Sequence, residues 1–280
     1  MTSAVRVMLG SFGRVALVEL EHCLVRHAHP HCHMLFKVGG ADSSFIVDDV
    51  AAPLTEDSVV LVDAWRPHEF VYRPGQPPTQ IIALYIDSDW LAALSADLGD
   101  FNPMDFFKSN SGHVSRDAYR ILMAVVDCLS GVSPSRMDVE FLLSQLVLTT
   151  ISRAGAAGHA GARCGRPHLF DWRIRKAVKF FQQNNADFDT IDQVVAEIGM
   201  SRANFFRQFK ACTGMSPGLF QNVVRLEQAI RLTVVSQETL SAAASSLGFS
   251  DPAHFSRFFR NHTAVSPRLY RQGASDWLSR

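Results

Sequence analysis

The sequence lacks any apolar run long enough to span a bilayer. Its first residues, MTSAVRVMLGSFGRV, lack the basic start, apolar stretch and small-residue cleavage site of a signal peptide. Cysteine is scarce: Cys23, Cys32, Cys128, Cys164 and Cys212 are odd in number, scattered, and include no CxxC pair. That pattern argues against a disulfide framework and against a cysteine zinc site. The expectation is a cytoplasmic protein with reduced thiols and no membrane partner. No phosphate-binding loop, Ser-His-Asp order or paired-carboxylate motif is present either, so outside one histidine cluster nothing points to an enzyme.

Net charge is also missing, because Lys+Arg 27 and Asp+Glu 27 cancel. The cancellation hides an asymmetry. Residues 166–280 hold 15 basic and 9 acidic side chains, a net of +6, whereas residues 1–165 hold 12 and 18, a net of −6. A basic half suits a polyanion and an acidic half does not.

What is present is enough apolar material, 47% of 280 residues, for more than one core. The first hundred residues read as strands. Apolar stretches at Val15–Leu20, Met34–Val38, Ser44–Val47, Val59–Val62 and Ile81–Ile86 are separated by Gly39-Gly40, Asp48-Asp49, Pro53, Pro67 and Pro74-Gly75. Such spacing predicts a small barrel or sandwich. Beyond Gly112 the period changes. Two helices, Ser115–Ser130 and Met137–Ser152, carry apolar stripes at i, i+3, i+4. They either cover the barrel or pair with another subunit, and a homodimer using Leu122, Leu129, Leu142 and Leu146 is expected. Residues 153–168, RAGAAGHAGARCGRPH, are Gly- and Ala-rich without apolar period and read as a linker. The fold class is therefore α+β in two domains: a barrel over 1–112, a helical dimerisation segment over 113–152, the linker over 153–168, and an all-α domain over 169–280.

In the last of these, helix starts are marked by Ser201, Ser216-Pro217, Asp251-Pro252 and Ser266-Pro267. Two segments share one layout. Ile191 to Ser201 is followed by Arg202 to Lys210, and Leu240 to Ser250 is followed by Asp251 to Arg260. Each is a short helix, a turn containing Gly199 or Gly248, and a helix bearing Phe and Arg. Phe205 with Phe209, and Phe255 with Phe259, anchor the second helix and leave its other face free. In a helix-turn-helix that free face enters the major groove. The candidate DNA contacts are Arg202, Ala203, Phe206 and Arg207 in the first copy and His254, Ser256 and Arg257 in the second, with Lys210 and Arg260 suited to phosphates. Arginine can donate two bonds to guanine O6 and N7, which is why its presence 50 positions apart, at Arg207 and Arg257, points to base reading.

The stretch LGFSDPAHFSRFFRNHTAVSPRLYR resembles the signature of AraC/XylS-family transcription activators, and AEIGMSRANFFRQFKACTGMSPGLFQNVVRLEQA is similar to the rest of that DNA-binding domain. The resemblance implies double-stranded DNA and RNA polymerase as partners. It also implies a helix from Pro217 to Leu232 joining two subdomains that enter successive major grooves. Val195 stands where the family usually has Ala, and Ala203 is small at a position that often reads DNA.

Seven of eleven histidines precede residue 114. His27, His29, His31 and His33 alternate with Ala28, Pro30 and Cys32, which would put all four on one strand face unless Pro30 distorts it. The segment resembles the small cupin barrel that precedes the DNA-binding domain in many AraC-family regulators. By that resemblance His33 stands where the family has Glu, with six residues between it and Gly40, and His68 matches a later His. Three uses of the cluster stay open: an organic effector pocket, a transition-metal site for Zn, Ni, Cu or Fe at His27, His29, His33 and His68, or structural histidines. Phe36, Trp65, Arg66 and Tyr85, together with His31, would line an effector pocket. The leading expectation is a ligand-responsive activator. A cupin-type metal-dependent oxygenase and a ligand-insensitive architectural DNA protein are the alternatives.

Overall fold

A computed structural model describes residues 6–96, 101–131, 136–154, 172–183, 190–236 and 238–278. Apart from residues 153 and 154, which end a helix, the linker expected over 153–168 lies outside the described residues. The chain opens with β1 (Arg6–Gly10), β2 (Gly13–Leu20), β3 (Cys32–Gly40), β4 (Ser43–Val47), β5 (Val50–Leu54), β6 (Ser58–Val62), β7 (His68–Val71) and β8 (Thr79–Ile86). Next come α1 (Ser88–Leu94), β9 (Ser111–His113), α2 (Arg116–Ser130) and α3 (Arg136–Ala154). The rest is helical: α4 (Trp172–Gln183), α5 (Thr190–Glu197), α6 (Arg202–Thr213), α7 (Pro217–Val234), α8 (Leu240–Ser246), α9 (Pro252–Thr263) and α10 (Pro267–Leu278). The α+β class, the two-domain plan and all five expected strand stretches stand.

The strands form two antiparallel sheets, β1-β2-β8-β3-β6-β9 and β5-β4-β7. Asp48 and Asp49, at φ 49° and 65°, make the two-residue turn between β4 and β5. Asp tolerates that left-handed conformation better than most residues, so the turn fixes the hairpin register. Along β3 and β8 the side chains alternate between two environments. Leu35, Ile81 and Ala83 face the smaller sheet, where Phe45, Val47 and Phe70 meet them. Met34, Phe36, Ile82 and Leu84 face the other way, onto Leu122, Val125, Leu129, Leu143 and Leu146 of α2 and α3. The two helices thus cover the barrel wall.

That arrangement corrects two expectations. Leu122, Leu129 and Leu146 are 1%, 1% and 0% exposed inside the chain, so they cannot form a subunit contact. Phe36 is wholly buried against the helical layer, on the face of β3 opposite the pocket, and cannot line an effector site.

The barrel's inner core does not stop at the domain boundary. Val18, Leu35, Phe45 and Ile81 belong to one apolar cluster with Leu226, Ile230, Phe255, Phe259 and Tyr270 of the helical domain. A second cluster, built on Phe181, Phe205, Phe209 and Phe220, takes only Ala28 and part of Trp65 from the N-terminal domain. Hence α7, α9 and α10 close the barrel mouth, while α4, α5 and α6 keep a core largely their own.

Candidate functional site

The candidate DNA face is built twice by the same local chemistry. Ser201 caps α6 by accepting from Asn204 N, and Asp251 caps α9 by accepting from His254 N at 2.7 Å. Gly199 and Gly248 adopt φ 63° and 73° in the turns that precede these helices. The turns close alike, Met200 N donating to Val195 O and Phe249 N to Ala244 O. Phe205, Phe209, Phe255 and Phe259 are at most 1% exposed. Burial of one stripe turns the opposite stripe outward: Arg202, Ala203, Arg207 and Lys210 in α6, and Arg257 and Arg260 in α9, are exposed. Phe206, His254 and Ser256 are half-buried beside them.

These side chains are not equally available. The Arg202 guanidinium pairs with Asp192 of α5 and lies over the Phe206 ring at 5.4 Å. Arg207 Nη2 donates to Asn204 Oδ1 at 2.8 Å on its own helix, an exposed and easily exchanged bond. His254 packs edge-on against Phe249. The pairing extends further than Arg207 and Arg257. Thr213 and Thr263 each donate to the carbonyl four residues back and to the one two residues on. Ser216-Pro217 and Ser266-Pro267 also repeat at an offset of 50, a signal readable in the sequence alone.

The second site is the histidine cluster at the barrel mouth. Strand β3 begins only at Cys32, so His27 and His29 lie on irregular chain and are held by other means. His27 exchanges backbone hydrogen bonds with His68, and His29 O accepts from Trp65 N at 2.8 Å. His27, His29, His33 and His68 come together, 3%, 2%, 2% and 0% exposed, with rings of neighbouring members 4.4 to 5.5 Å apart. His31 does not join them. It turns to Glu227 of α7 at 3.5 Å. Arg66 pairs with Asp48 at 3.0 Å, and Trp65 stacks on Phe220 of α7 at 5.1 Å, so both serve packing and pairing around the cluster. Tyr85 stacks on His33 at 4.1 Å and takes the Arg14 guanidinium on its other side at 3.8 Å.

Burial, reinforced by neighbouring imidazoles, holds His27, His29 and His33 well below the usual histidine range. Burial likewise lowers His68 to about 4. The cluster is therefore neutral at pH 7. Burial opposes ionisation of Glu227, but the His31 hydrogen bond and the Arg14 charge outweigh it and hold that carboxyl below its ordinary range. Three contributors were missed by sequence reasoning: Arg14 on β2, Glu227 on α7, and His262 on α9, whose ring lies 6.0 Å from that of His27. No periodicity links positions so far apart, so only the fold could find them. Between the sheets, and closed by Thr263 at the end of α9, is a cavity of about 20 Å³ bordered by His27, His33, Leu35 and Tyr85. That is room for about one water-sized occupant. Among the described residues no helix is long and apolar enough to cross a membrane.

A helix-turn-helix domain family matches residues 194–273. An HTH-type transcriptional regulator of Haemophilus influenzae is 40% identical over 108 residues, 38% of this chain and 36% of its own length. MtrA of Neisseria gonorrhoeae, an HTH-type transcriptional regulator, is 38% identical over 82 residues, 29% of this chain and 27% of its own. The transcriptional activator RhaS of Klebsiella pneumoniae is 34% identical over 103 residues, 37% of each chain. The chain thus spans about a third of these relatives' length or less. Over nearly the whole molecule, the fold is similar to an apo ToxT variant of Vibrio cholerae, with a TM-score of 0.59 at 15% identity, covering 95% of this chain and 98% of that one. ToxT with a bound unsaturated fatty acid gives 0.54 at 15% identity, over 92% and 94%. The duplicated motif, its caps and turns, and the match over residues 194–273 make the C-terminal domain an AraC-type double helix-turn-helix, similar to the corresponding part of these transcription regulators.

Proposed function

We propose that the chain is a ligand-responsive, sequence-specific DNA-binding transcription activator, acting in the cytoplasm with RNA polymerase as a partner. Its working parts are a cupin-like sensor barrel (1–112), a helical segment (113–152), a linker (153–168) and the DNA-binding domain (169–280). One observation supports the reading above all. Arg207 and Arg257 occupy the same step of two equivalent helices, both exposed opposite buried phenylalanines, with Lys210 and Arg260 one turn further on. Replacing Arg207 or Arg257 with Ala weakens operator binding by about 1–3 kcal/mol if each reads a base. Affinity for operator and for random DNA at one salt concentration checks this. Equal losses on both DNAs would assign the arginines to phosphates, and no loss on either would remove the reading.

The signal is read where the barrel meets α7 and α9, because a ligand there touches both domains. The oxygenase alternative draws on the histidine cluster alone, and that cluster serves a sensor equally well. Pairing of two copies through α2 and α3 would use their outer face, where Phe141 is 63% exposed and Tyr119 42% exposed, in place of the buried leucines. Light scattering of the natural protein and of Phe141→Asp is expected to give a dimer and a monomer respectively; a monomeric natural protein at tens of micromolar would exclude this assembly.

A further inference from the structure

We infer that His27, His29 and His68 bind one divalent transition-metal ion through their Nε2 atoms, and that this ion joins the barrel to the second helix-turn-helix. The regulatory half of this inference rests on the DNA-binding reading above; the metal half does not.

Backbone carbonyls fix which ring nitrogen of each histidine carries the proton. His27 Nδ1 lies 2.8 Å from Val25 O, His29 Nδ1 3.0 Å from His31 O, and His68 Nδ1 2.8 Å from Arg66 O. A carbonyl oxygen only accepts, so each Nδ1 must donate. In neutral imidazole the lone pair is then on Nε2. Three rings are thus held in one tautomer by backbone carbonyls, the arrangement that orients histidine ligands around metals. The three residues offer ring nitrogens within 4.8 Å of one another, all buried. A tetrahedral zinc site, with Zn–N about 2.1 Å, needs nitrogens roughly 3.4 Å apart, so an ion would draw the rings inward from their present spacing.

A fourth ring adds to the acceptor set. His33 Nδ1 is 3.1 Å from His29 Nε2, so the proton of that pair sits on His33 and leaves its Nε2 bare. The Nε2 atoms of His33 and His68 are buried without a hydrogen-bond partner. His29 Nε2 accepts from His33, a bond that an ion would displace, but the two bare Nε2 atoms have no donor, and buried polar atoms are seldom left unsatisfied. The adjoining cavity of about 20 Å³, bordered by His27 and His33, has room for about one small occupant. All-imidazole nitrogen donors select zinc, nickel, cobalt or copper over magnesium or calcium.

The link to DNA follows from what surrounds the cluster. His262 of α9 donates from Nδ1 to Phe258 O at 2.8 Å, and its ring is 6.0 Å from that of His27. The neighbouring Asn261 O accepts from Val25 N at 3.1 Å, and Val25 O is the acceptor that orients His27. An ion that fixes His27 therefore fixes a strap bonded directly to the end of the second recognition helix.

The test uses untagged full-length protein, stripped with chelator and kept reduced. Addition of Zn²⁺ or Co²⁺ is expected to give about one ion per chain by elemental analysis, with an all-nitrogen/oxygen first shell containing imidazole by X-ray absorption. His68→Ala and His29→Ala are each expected to weaken binding at least tenfold, whereas His113→Ala, at an exposed position, is expected to bind as the natural protein does. Operator affinity is expected to change about 5- to 150-fold with metal in the natural protein, and to become metal-independent in His262→Ala, which still holds the ion. Absence of stoichiometric metal in the natural protein, or a sulfur shell, would overturn the site even if the alanine variants fail to fold. A stoichiometric ion with unchanged operator affinity would overturn the link alone. A stoichiometric ion in a protein that binds no DNA in either state would leave the site standing and remove the regulator reading.

Discussion

Phe209→Ala is expected to destabilise the first helix-turn-helix by about 3–5 kcal/mol while leaving the unfolding transition of the barrel close to its natural position. Phe209 is wholly buried among Phe181, Phe205 and Phe220, at ring separations of 5.4 to 5.9 Å. Truncation removes the transfer energy of the ring and the edge-to-face contacts, and leaves a cavity the surrounding rings only partly fill. The damage is confined because that core is nearly private to α4, α5, α6 and the start of α7. Phe259 is the matching residue of the second copy, also wholly buried, but it shares its core with Phe45, Leu35 and Ile81 of the barrel. Phe259→Ala should therefore lower both domains together. Calorimetry separates the cases: two transitions for Phe209→Ala, a single lowered one for Phe259→Ala. Indistinguishable melting curves for the two variants would mean that the two cores unfold as one. The functional consequence is that the first motif can loosen on its own, whereas the second is stabilised against the domain proposed to sense the signal.

The DNA-binding domain was legible because its sequence carries its own control. One helix, Gly turn and helix would be weak evidence, but the same order of Gly, cap, Phe, Arg and Ser-Pro recurs, with the cap, Phe, Arg and Ser-Pro offset by 50 residues and the Gly by 49. Strands β2, β3, β4, β6 and β8 were legible as apolar runs bounded by turn residues. Strands β1, β5, β7 and β9 were not. They have three to five residues, β5 contains Pro53, and β7 begins at His68, so none shows enough period to stand out. Helix α1 is seven residues long and was passed over for the same reason.

The histidine cluster was half legible. Alternation gathered His27, His29, His31 and His33 onto one strand face, whereas the irregular chain before Cys32 lets His31 swing to Glu227 and brings His27 beside His68. Alternation describes a strand, and that segment is a strand only from Cys32 onward. The leucines of α2 and α3 show the complementary limit. Their stripe predicts burial, and burial against the sheet and burial against a second subunit leave the same pattern in a sequence.

Asp63→Asn is expected to make the protein more stable than its natural form above pH 6, by up to about 3 kcal/mol. Asp63 follows β6 and is 9% exposed. Its Oδ1 accepts from both Phe106 N and Phe107 N at 2.9 Å, and so ties the segment before β9 to the barrel. Burial pushes its carboxyl up from 3.8 to about 6, against the pull of those two bonds. The folded state thus holds the proton more tightly than the unfolded chain. The group's favourable contribution is complete below about pH 4 and is lost as pH rises through about 6, where folding must carry a buried charge. Asparagine keeps an oxygen for both backbone donors and cannot ionise, so the loss disappears. The advantage of the variant should grow by roughly 1 kcal/mol between pH 5 and pH 8, since part of the loss is already present at pH 5. Denaturant unfolding of both proteins at those two pH values measures it. A difference that does not change with pH, or a variant less stable at pH 8, would show that the carboxylate is satisfied in its charged form and that the two backbone bonds outweigh its burial.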